Sequence, residues 1–481
     1  MERSWQEDRI TKLPDMLRMH ILSFLSRKYA IRTGALSSQW KDLWKFRFSH
    51  CTTLNFNGSF AENKSSAELV TSISKCMEKQ GKKKLEIFNL YFYAGKLYPD
   101  KVTAWIKQAV LNGMEVSDLD FSQGKIGRFP GRLSGRRRKY ELKASIFKRN
   151  SLSCLCLRYC RLSRCFTFKH FHSLEVLHLH AVNINDSMLK KLVMNCKSLK
   201  RLDLRECVAL QYVRISATDL VLKSLVMVCC WHIQLIELSA QFLESFHFIG
   251  GSPSLYLLNT PSGLVDVVMI SGGVESFNQP RDCLNVILGI NAVEVLTLCS
   301  KGLQFFFGLG FSSCRLPRLR ELQVILGESG DEPMEIFKFL GKCILPNLER
   351  LFIQLSKSYE EPHWYSILPA VIQLAAIEQQ NFGKLKIVKL SGFKKHSKEM
   401  TFLSYLFQYA VALEQLVLVI PHDHHLDLCN NSALFSLVRE ISAMPKASSE
   451  VQVHWTCSSH DDETHCPTHN SLPVFTATQD A

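Results

Sequence analysis

The sequence predicts an α/β protein in which a short helical segment precedes an irregular solenoid of repeated strands. Two patterns carry this prediction: a helical stripe of apolar residues near the N-terminus and a recurring L-x-x-L-x-L motif from Leu152 onward. The 481 residues exceed what one compact core usually supports, so more than one structural unit is expected.

Residues 8–25 are predicted to form a helix. Pro14 suits its first turn, where a backbone N–H has no partner, and Asp15 favours the positive end of the helix dipole. One apolar stripe contains Leu17, Ile21, Phe24 and Leu25. Two further short helices are predicted, over 29–36 and from about Ser37 with Trp40 and Trp44 on one face. Three such helices bury little surface, so they form either a cap on the following repeats or a docking site for another protein.

The repeats begin at eleven apolar residues, namely Leu152, Leu174, Leu199, Leu222, Leu243, Leu264, Val293, Leu319, Leu348, Leu385 and Leu413. Each unit is predicted to supply one strand whose alternate side chains point inward, and neighbouring units stack to bury that face. The stretches that start at Leu85 and Val116 look like degenerate units. Three thiols at the ninth position of a unit are expected to be buried structural groups: Cys160, Cys207 and Cys230.

The residues between the inward leucines point away from the core. On the units at Leu174 and Leu199 these are Val176, His178, His180, Arg201, Asp203 and Arg205. Adjacent strands lie about 4.8 Å apart, so the six residues are predicted to form one charged patch. Its arginines suit an acidic or phosphorylated protein segment. The alternative is that the patch is only the polar surface that any solenoid exposes.

Three N-terminal sub-motifs resemble the plant F-box: Leu13-Pro14-x-x-Leu17-x-x-x-Ile21-Leu22-Ser23-Phe24-Leu25, Ala30-Ile31-Arg32-Thr33 and Ala35-Leu36-Ser37-x-x-Trp40-x-x-Leu43-Trp44. Ser26 departs from the usual proline, and Gly34 weakens the second helix. The repeats resemble leucine-rich repeats, and 385–453 is similar to the FBD module of one plant F-box group. The implied organisation is a three-helix F-box over 1–48, a leucine-rich-repeat solenoid over 49–372, an FBD-like C-terminal cap over 373–456 and a disordered tail over 457–481, expected to be dispensable for folding.

The resemblance implies a substrate receptor of a Skp–cullin–F-box ubiquitin ligase, with no catalytic site, cofactor or metal. It assigns contact with a Skp-family adaptor, and through it a cullin, to Leu13, Pro14, Leu17, Ile21, Leu22, Leu25, Leu36 and Trp40. The family's adaptors are acidic, and residues 1–48 carry ten Lys or Arg against five Asp or Glu. The alternative is a protein-binding scaffold outside a ligase. Nucleotide-binding and hydrolase motifs such as G-x-x-x-x-G-K-[ST], G-x-S-x-G and H-E-x-x-H are absent.

The remaining features are assigned to ordinary structure. The net charge of +14 comes from dispersed basic residues, which favours acidic protein partners over nucleic acid. Residues 131–139 are predicted to be a solvated basic loop, with a nuclear localisation signal or phosphate patch as the alternative. The phenylalanine-rich 304–311 is expected in the core and His422, His424 and His425 in a loop. Disorder is preferred to a zinc site for His454, Cys457, His460, His465, Cys466 and His469.

The sequence predicts a location in the cytosol or nucleus, with no membrane partner. Its N-terminus is charged where a signal peptide needs an apolar core, and no run of about 18 apolar residues occurs. The seventeen cysteines are therefore expected to be reduced thiols.

Overall fold

The computed structural model divides the chain into two compact units, Met1–Tyr159 and Cys160–Ala481. It describes residues 10, 13–24, 29, 32–37, 40, 43, 52–93, 97–122, 139–148, 151–216, 219–251, 253–258, 263–271, 291–300, 302–303, 314–326, 336, 339–340, 343–355, 382–421, 431–457 and 466–469. In these ranges no helix is long and apolar enough to cross a membrane.

The first unit contains helix α1, Asp15–Phe24, on the predicted apolar stripe. The helix starts later than the predicted 8–25, because Pro14 precedes its first turn and its carbonyl accepts the Arg18 backbone N–H at 3.1 Å. Leu22 of this helix packs with Trp40 and Leu43 in a small buried cluster that the half-buried Met19 borders. Within the second predicted helix, 29–36, the described residues Tyr29 and Arg32 are α-helical, and a 3-10 turn follows at Thr33–Ala35. Gly34, which has a low helix propensity, lies inside this turn.

Four parallel strands form the sheet of the first unit in the order β1, Thr53–Phe56; β2, Ile87–Tyr91; β3, Val116–Asp120; and β5, Cys154–Arg158. The degenerate units predicted at Leu85 and Val116 are thus strands of a repeat sheet; β1 was not predicted. The unit also contains helices α2, Gly58–Ala61; α3, Ser66–Gln80; α4, Pro99–Leu111; a 3-10 turn, Ala144–Phe147; and strand β4, Tyr140–Leu142.

Ser65 and Glu68 explain where α3 begins, because the Ser65 hydroxyl accepts the Glu68 backbone N–H while the Glu68 carboxylate accepts that of Ser65.

A second set of parallel strands runs through the second unit: β7, Val176–His180; β8, Arg201–Arg205; β10, Ser224–Cys230; β12, Ser245–Gly250; β14, Asp266–Ser271; β15, Val295–Cys299; β17, Glu321–Ile325; β19, Arg350–Gln354; β20, Ile387–Ser391; β21, Gln415–Ile420; and β22, Gln452–Cys457. From Leu174 to Leu413 every predicted repeat begins two residues before one of these strands. The predicted repeat frame is therefore confirmed, including the widely spaced later units.

Smaller elements return the chain from one repeat strand to the next. They are β6, Cys160–Leu162; β9, Tyr212–Ser216; β11, Leu235–Ser239; β13, Ser254–Leu257; β16, Cys314–Arg315; β18, Cys343–Ile344; and helices α5, Asp186–Asn195; α6, Ser397–Tyr409; and α7, Asn431–Ala443. Strands β9, β11 and β13 form a three-stranded parallel sheet.

The core lies on the inward side of the repeat strands. Leu177, Leu179, Leu202 and Leu204 are all buried, as the alternation predicts. Cys160, Cys207 and Cys230 are buried too, and the Cys207 thiol lies 3.6 Å from the backbone oxygen of Leu179. The structural role predicted for these thiols matches this placement.

The FBD-like region continues the repeat sheet, because β20, β21 and β22 pair in parallel and in register after β19. Helix α6 contributes Phe402, Leu403 and Leu406 to the core.

Candidate functional site

The N-terminal helix carries two apolar faces with different environments. One face builds the small cluster around Leu22, whereas the other leaves large side chains in solvent. The exposed fractions are 50% for Leu17, 39% for Ile21 and 76% for Phe24, and 60% for Leu36 beyond the helix. We call these four residues the N-terminal apolar surface. Exposed apolar side chains that recur on one short element indicate a surface that another protein covers.

The eight residues assigned to adaptor contact do not share one environment. Leu17, Ile21 and Leu36 belong to the N-terminal apolar surface, Pro14 is exposed and Leu13 is half-buried. Leu22 and Trp40 are 0% and 1% exposed. We therefore assign these two residues to packing of the small core and not to direct contact with the adaptor. Their large apolar side chains are needed to hold the short helices together. Leu25 lies outside the described residues.

The predicted patch on β7 and β8 is assembled by the strand register, which pairs Val176 with Arg201, His178 with Asp203 and His180 with Arg205. All six residues point away from the inward leucines. Arg201 and Arg205 are exposed, and His178 and His180 are half-buried. The side chains predicted to gather do lie together; their role in binding a substrate stays a prediction.

Asp203 differs from the expectation that it is displayed, because its side chain is only 8% exposed. Arg205 donates from Nε to Asp203 Oδ1 at 2.9 Å and from Nη2 to Oδ2 at 3.1 Å, while His178 Nδ1 lies 3.2 Å from Oδ2. Burial alone would raise the pKa of Asp203, but hydrogen bonds from His178 and Arg205 outweigh it and hold the pKa below its ordinary value. Asp203 therefore orients the side chains of His178 and Arg205, and the positive charge of the patch faces solvent.

Glu206 is a member of this patch that the repeat pattern does not reveal. Its Oε1 lies 3.0 Å from His180 Nε2. The residue follows β8 with a φ of 51°, in the left-handed region, as Ala181 does after β7 with a φ of 53°. This turn takes Glu206 out of the strand alternation, which is why a period of two gives no hint of its contact with His180.

The exposed patch ends at β10, where the same outward positions become apolar and buried. Val226 stands beside Asp203 in the register, and His247 beside Val226. Apolar residues on β10, β12, β14 and β15 form a cluster: Val226, Val228, Ile249, Val268, Ile270 and Cys299. The charged patch is thus confined to β7 and β8 and their turns, among the described residues of this unit.

A second polar group on the outward side involves the C-terminal segment 466–469. The Thr468 backbone N–H donates to Glu321 Oε1 at 2.6 Å, and its hydroxyl donates to Oε2 at 3.0 Å. Arg350 pairs with the same fully buried carboxylate at 2.8 Å. Residues 466–469 are thus described within the tail predicted to be disordered, and Thr468 holds them against Glu321 of β17. The rest of 458–481 lies outside the described residues.

His469 of the same segment reaches Asp266 on β14. The His469 Nε2 lies 2.7 Å from Asp266 Oδ1, and His247 Nε2 lies 2.8 Å from Oδ2. Burial would raise the pKa of Asp266, but hydrogen bonds from His247 and His469 outweigh it and hold the pKa well below its usual range. These three residues are the described His, Cys, Asp and Glu side chains close enough to share an ion.

Three other sequence features fall on residues that the structure does not describe. They are the basic segment 131–138, the phenylalanine-rich 304–311 and His422, His424 and His425. Their assignments stay predictions.

The leucine-rich-repeat model described as "At1g61320/AtMIF1, LRR domain" matches residues 75–453. That range spans the strands from β2 to β21 and includes most of the FBD-like region. The repeat architecture and the family model thus agree over most of the chain.

Several relatives from Arabidopsis thaliana match nearly end to end. "F-box/LRR-repeat protein 13" is 26% identical, over 93% of this chain and 96% of its own length. "F-box/FBD/LRR-repeat protein At1g78750" is 24% identical, over 94% and 96%. "Putative FBD-associated F-box protein At1g61330" is 24% identical, over 86% and 91%. The names of these relatives include F-box, LRR-repeat and FBD, the three modules that the sequence resembles.

Proposed function

Because the chain belongs to the At1g61320/AtMIF1 leucine-rich-repeat family, we propose that it is the substrate receptor of a Skp–cullin–F-box ubiquitin ligase. The N-terminal helices bind a Skp-family adaptor, and the repeats hold a protein substrate. The names of the relatives support an F-box in the chain.

The N-terminal apolar surface is the observation that carries the proposal. Leu17, Ile21 and Phe24 stay exposed on a ten-residue helix whose other face already packs on Trp40 and Leu43. Each fully buried leucine or phenylalanine gains about 1.5–3 kcal/mol. A partner that covers this surface therefore gains several such contributions without any rearrangement of the small core.

Charge supports the same partner. Residues 1–48 carry ten basic against five acidic residues, and an acidic adaptor would be drawn to this segment. This electrostatic attraction raises the rate at which the two proteins meet more than it raises their affinity, and added salt weakens the attraction.

The proposed substrate-binding surface is the patch on β7 and β8. Arg201 and the outer part of Arg205 present positive charge beside His178 and His180, which suits an acidic or phosphorylated segment of the substrate. Holding the substrate there raises its effective concentration near the ubiquitin-charged enzyme. The protein acts by templating and performs no covalent chemistry itself.

A scaffold that acts outside a ligase is the second candidate, since the charged patch would serve it equally well. The experiment that separates the two combines adaptor pull-down with a ubiquitination assay on purified complexes. A ligase receptor captures adaptor and cullin and supports ubiquitin transfer to a bound protein. If the chain captures proteins through its repeats but does not bind adaptor, the scaffold function is the one that remains.

A further inference from the structure

Three side chains that are remote in sequence converge on the outward side of the second unit. His247 comes from β12, Asp266 from β14 and His469 from the C-terminal segment. Their nearest ligand atoms all lie within 4.8 Å of one another. The His469 side chain is 6% exposed, whereas those of His247 and Asp266 are 19% and 27% exposed. The group is thus enclosed on the His469 side and reachable from solvent beside Asp266.

The hydrogen bonds of Thr297 favour one tautomer of His469. The Thr297 hydroxyl donates its one proton to Gln323 Oε1 at 3.0 Å, so toward His469 it accepts. His469 Nδ1 lies 2.7 Å from the same hydroxyl, and the tautomer that carries its proton on Nδ1 satisfies both groups. In that tautomer Nε2 turns a lone pair toward Asp266 Oδ1, 2.7 Å away. A metal cation between these two atoms would satisfy both.

We propose that His247, Asp266 and His469 bind one zinc ion. Two imidazole nitrogens and one carboxylate are a donor set that zinc takes when a fourth position stays open to water. Thr297 orients the His469 ring through Nδ1, as partners of metal-bound histidines do. Ligand atoms around tetrahedral zinc lie about 3.3 Å apart. The present spacings of 2.7 and 2.8 Å therefore require each imidazole to move outward by a fraction of an ångström.

The ion would fasten the C-terminal segment to the repeat strands. His469 joins β14 and β15 through Asp266 and Thr297, and Thr468 joins β17 through Glu321. Without the metal the segment still has the Thr468 contacts, so zinc adds to an existing attachment. The site does not depend on the proposed ligase role, because none of its residues belongs to the N-terminal apolar surface or to the β7–β8 patch.

The test is a zinc titration of the full chain. The protein is stripped with a chelator, dialysed and titrated calorimetrically with zinc, and retained metal is counted by mass spectrometry. His469→Ala and Asp266→Asn remove ligands; His232→Ala, an exposed histidine outside the cluster, is the matched control. Since the seventeen cysteines can also bind zinc, the difference between variants is the readout.

We expect one tight zinc in the wild type and in His232→Ala, and its loss in His469→Ala and Asp266→Asn. Thr297→Val keeps all three ligands and should weaken binding by about 10–100-fold, so it tests the site even if a ligand variant folds poorly. Equal zinc retention by the wild type, His469→Ala and Asp266→Asn would overturn the proposal. No tight zinc in the wild type would also overturn it and leave a proton bridging His469 and Asp266.

Discussion

Arg205 holds the buried carboxylate of Asp203, with Nε 2.9 Å from Oδ1, although the two residues stand two positions apart on the same strand. The guanidinium therefore has two roles. One side satisfies a carboxylate that faces away from the core, and the remainder is open to solvent. The hydrogen bonds to Asp203 come from Arg205 and His178, whereas Arg201 occupies the neighbouring outward position of β8 and is exposed.

This division of roles predicts how substrate capture responds to charge reversal. Arg201→Glu should change the set of captured proteins while the fold stays intact, and adding Arg205→Glu should change it further. Quantitative mass spectrometry of co-purified proteins measures the change. Arg161→Glu with Arg164→Glu, two exposed arginines before β7, gives the same charge change elsewhere. If all these variants capture the same proteins, the substrate surface lies elsewhere.

The depressed pKa of Asp203 predicts a pH-dependent contribution to stability. A carboxyl whose folded pKa lies below its unfolded value stabilises above the unfolded value, near 3.8, and loses this contribution as the pH falls through the folded pKa. Asp203→Asn should cost about 1–3 kcal/mol near pH 7. Thermal unfolding of both proteins from neutral to acidic pH should show the difference shrinking below about pH 4. A difference that stays constant would contradict this assignment.

The C-terminal contacts predict the effect of truncation. Ending the chain after Cys457 removes Thr468 and His469 and leaves the buried Glu321 without two of its hydrogen bonds. We expect a loss of about 1–3 kcal/mol, measured as a lower melting temperature in the presence of chelator. Ending the chain after Asn470 keeps the segment and serves as the control. Equal melting temperatures for the two truncations would show that the segment contributes nothing to stability.

Burial predicts which cysteines react. Cys196 is buried, and burial raises the pKa of its thiol to about 12, whereas Cys165 is exposed. Iodoacetamide at neutral pH should therefore label Cys165 and spare Cys196 in the native protein, since the thiolate is the reactive form. Peptide mass spectrometry reads the labelling at both sites. Equal labelling in the native state, with both sites reactive after denaturation, would contradict the burial of Cys196.

The repeat strands could be predicted because their signal is local. An apolar residue two positions before the strand and leucines at alternate positions fix both the start and the inward side, as for Leu174, Leu177 and Leu179. Strand β1 has no such unit; only Phe56 of its four residues is buried, so the alternation there is too weak to detect. The burial of Asp203 could not be predicted from the alternation either. A period of two shows which side of the strand a side chain faces, but not which neighbouring groups cover it.

The C-terminal contact could not be predicted for a different reason. His469 meets Asp266 across 203 residues of chain. The C-x-x-H spacing of Cys466 and His469 is one that metal ligands use, but it points to neither Asp266 nor His247. Composition alone favours disorder for this stretch. The partners that order it are single residues, Glu321, Thr297 and Asp266, at outward positions of three different repeats. A comparison of outward positions between repeats could have revealed their shared polarity, but not the segment that they bind.

Binding of purified Skp-family adaptor to Leu17→Asp tests the central claim most directly. Leu17 is half exposed, so the variant should melt like the wild type, whereas a carboxylate placed in an apolar interface without a partner costs several kcal/mol. Leu111→Asp is the matched control, because Leu111 at the end of α4 is also an exposed leucine, at 63%. We expect Leu111→Asp to bind adaptor like the wild type and Leu17→Asp to lose binding. Wild-type binding by a folded Leu17→Asp protein would contradict it.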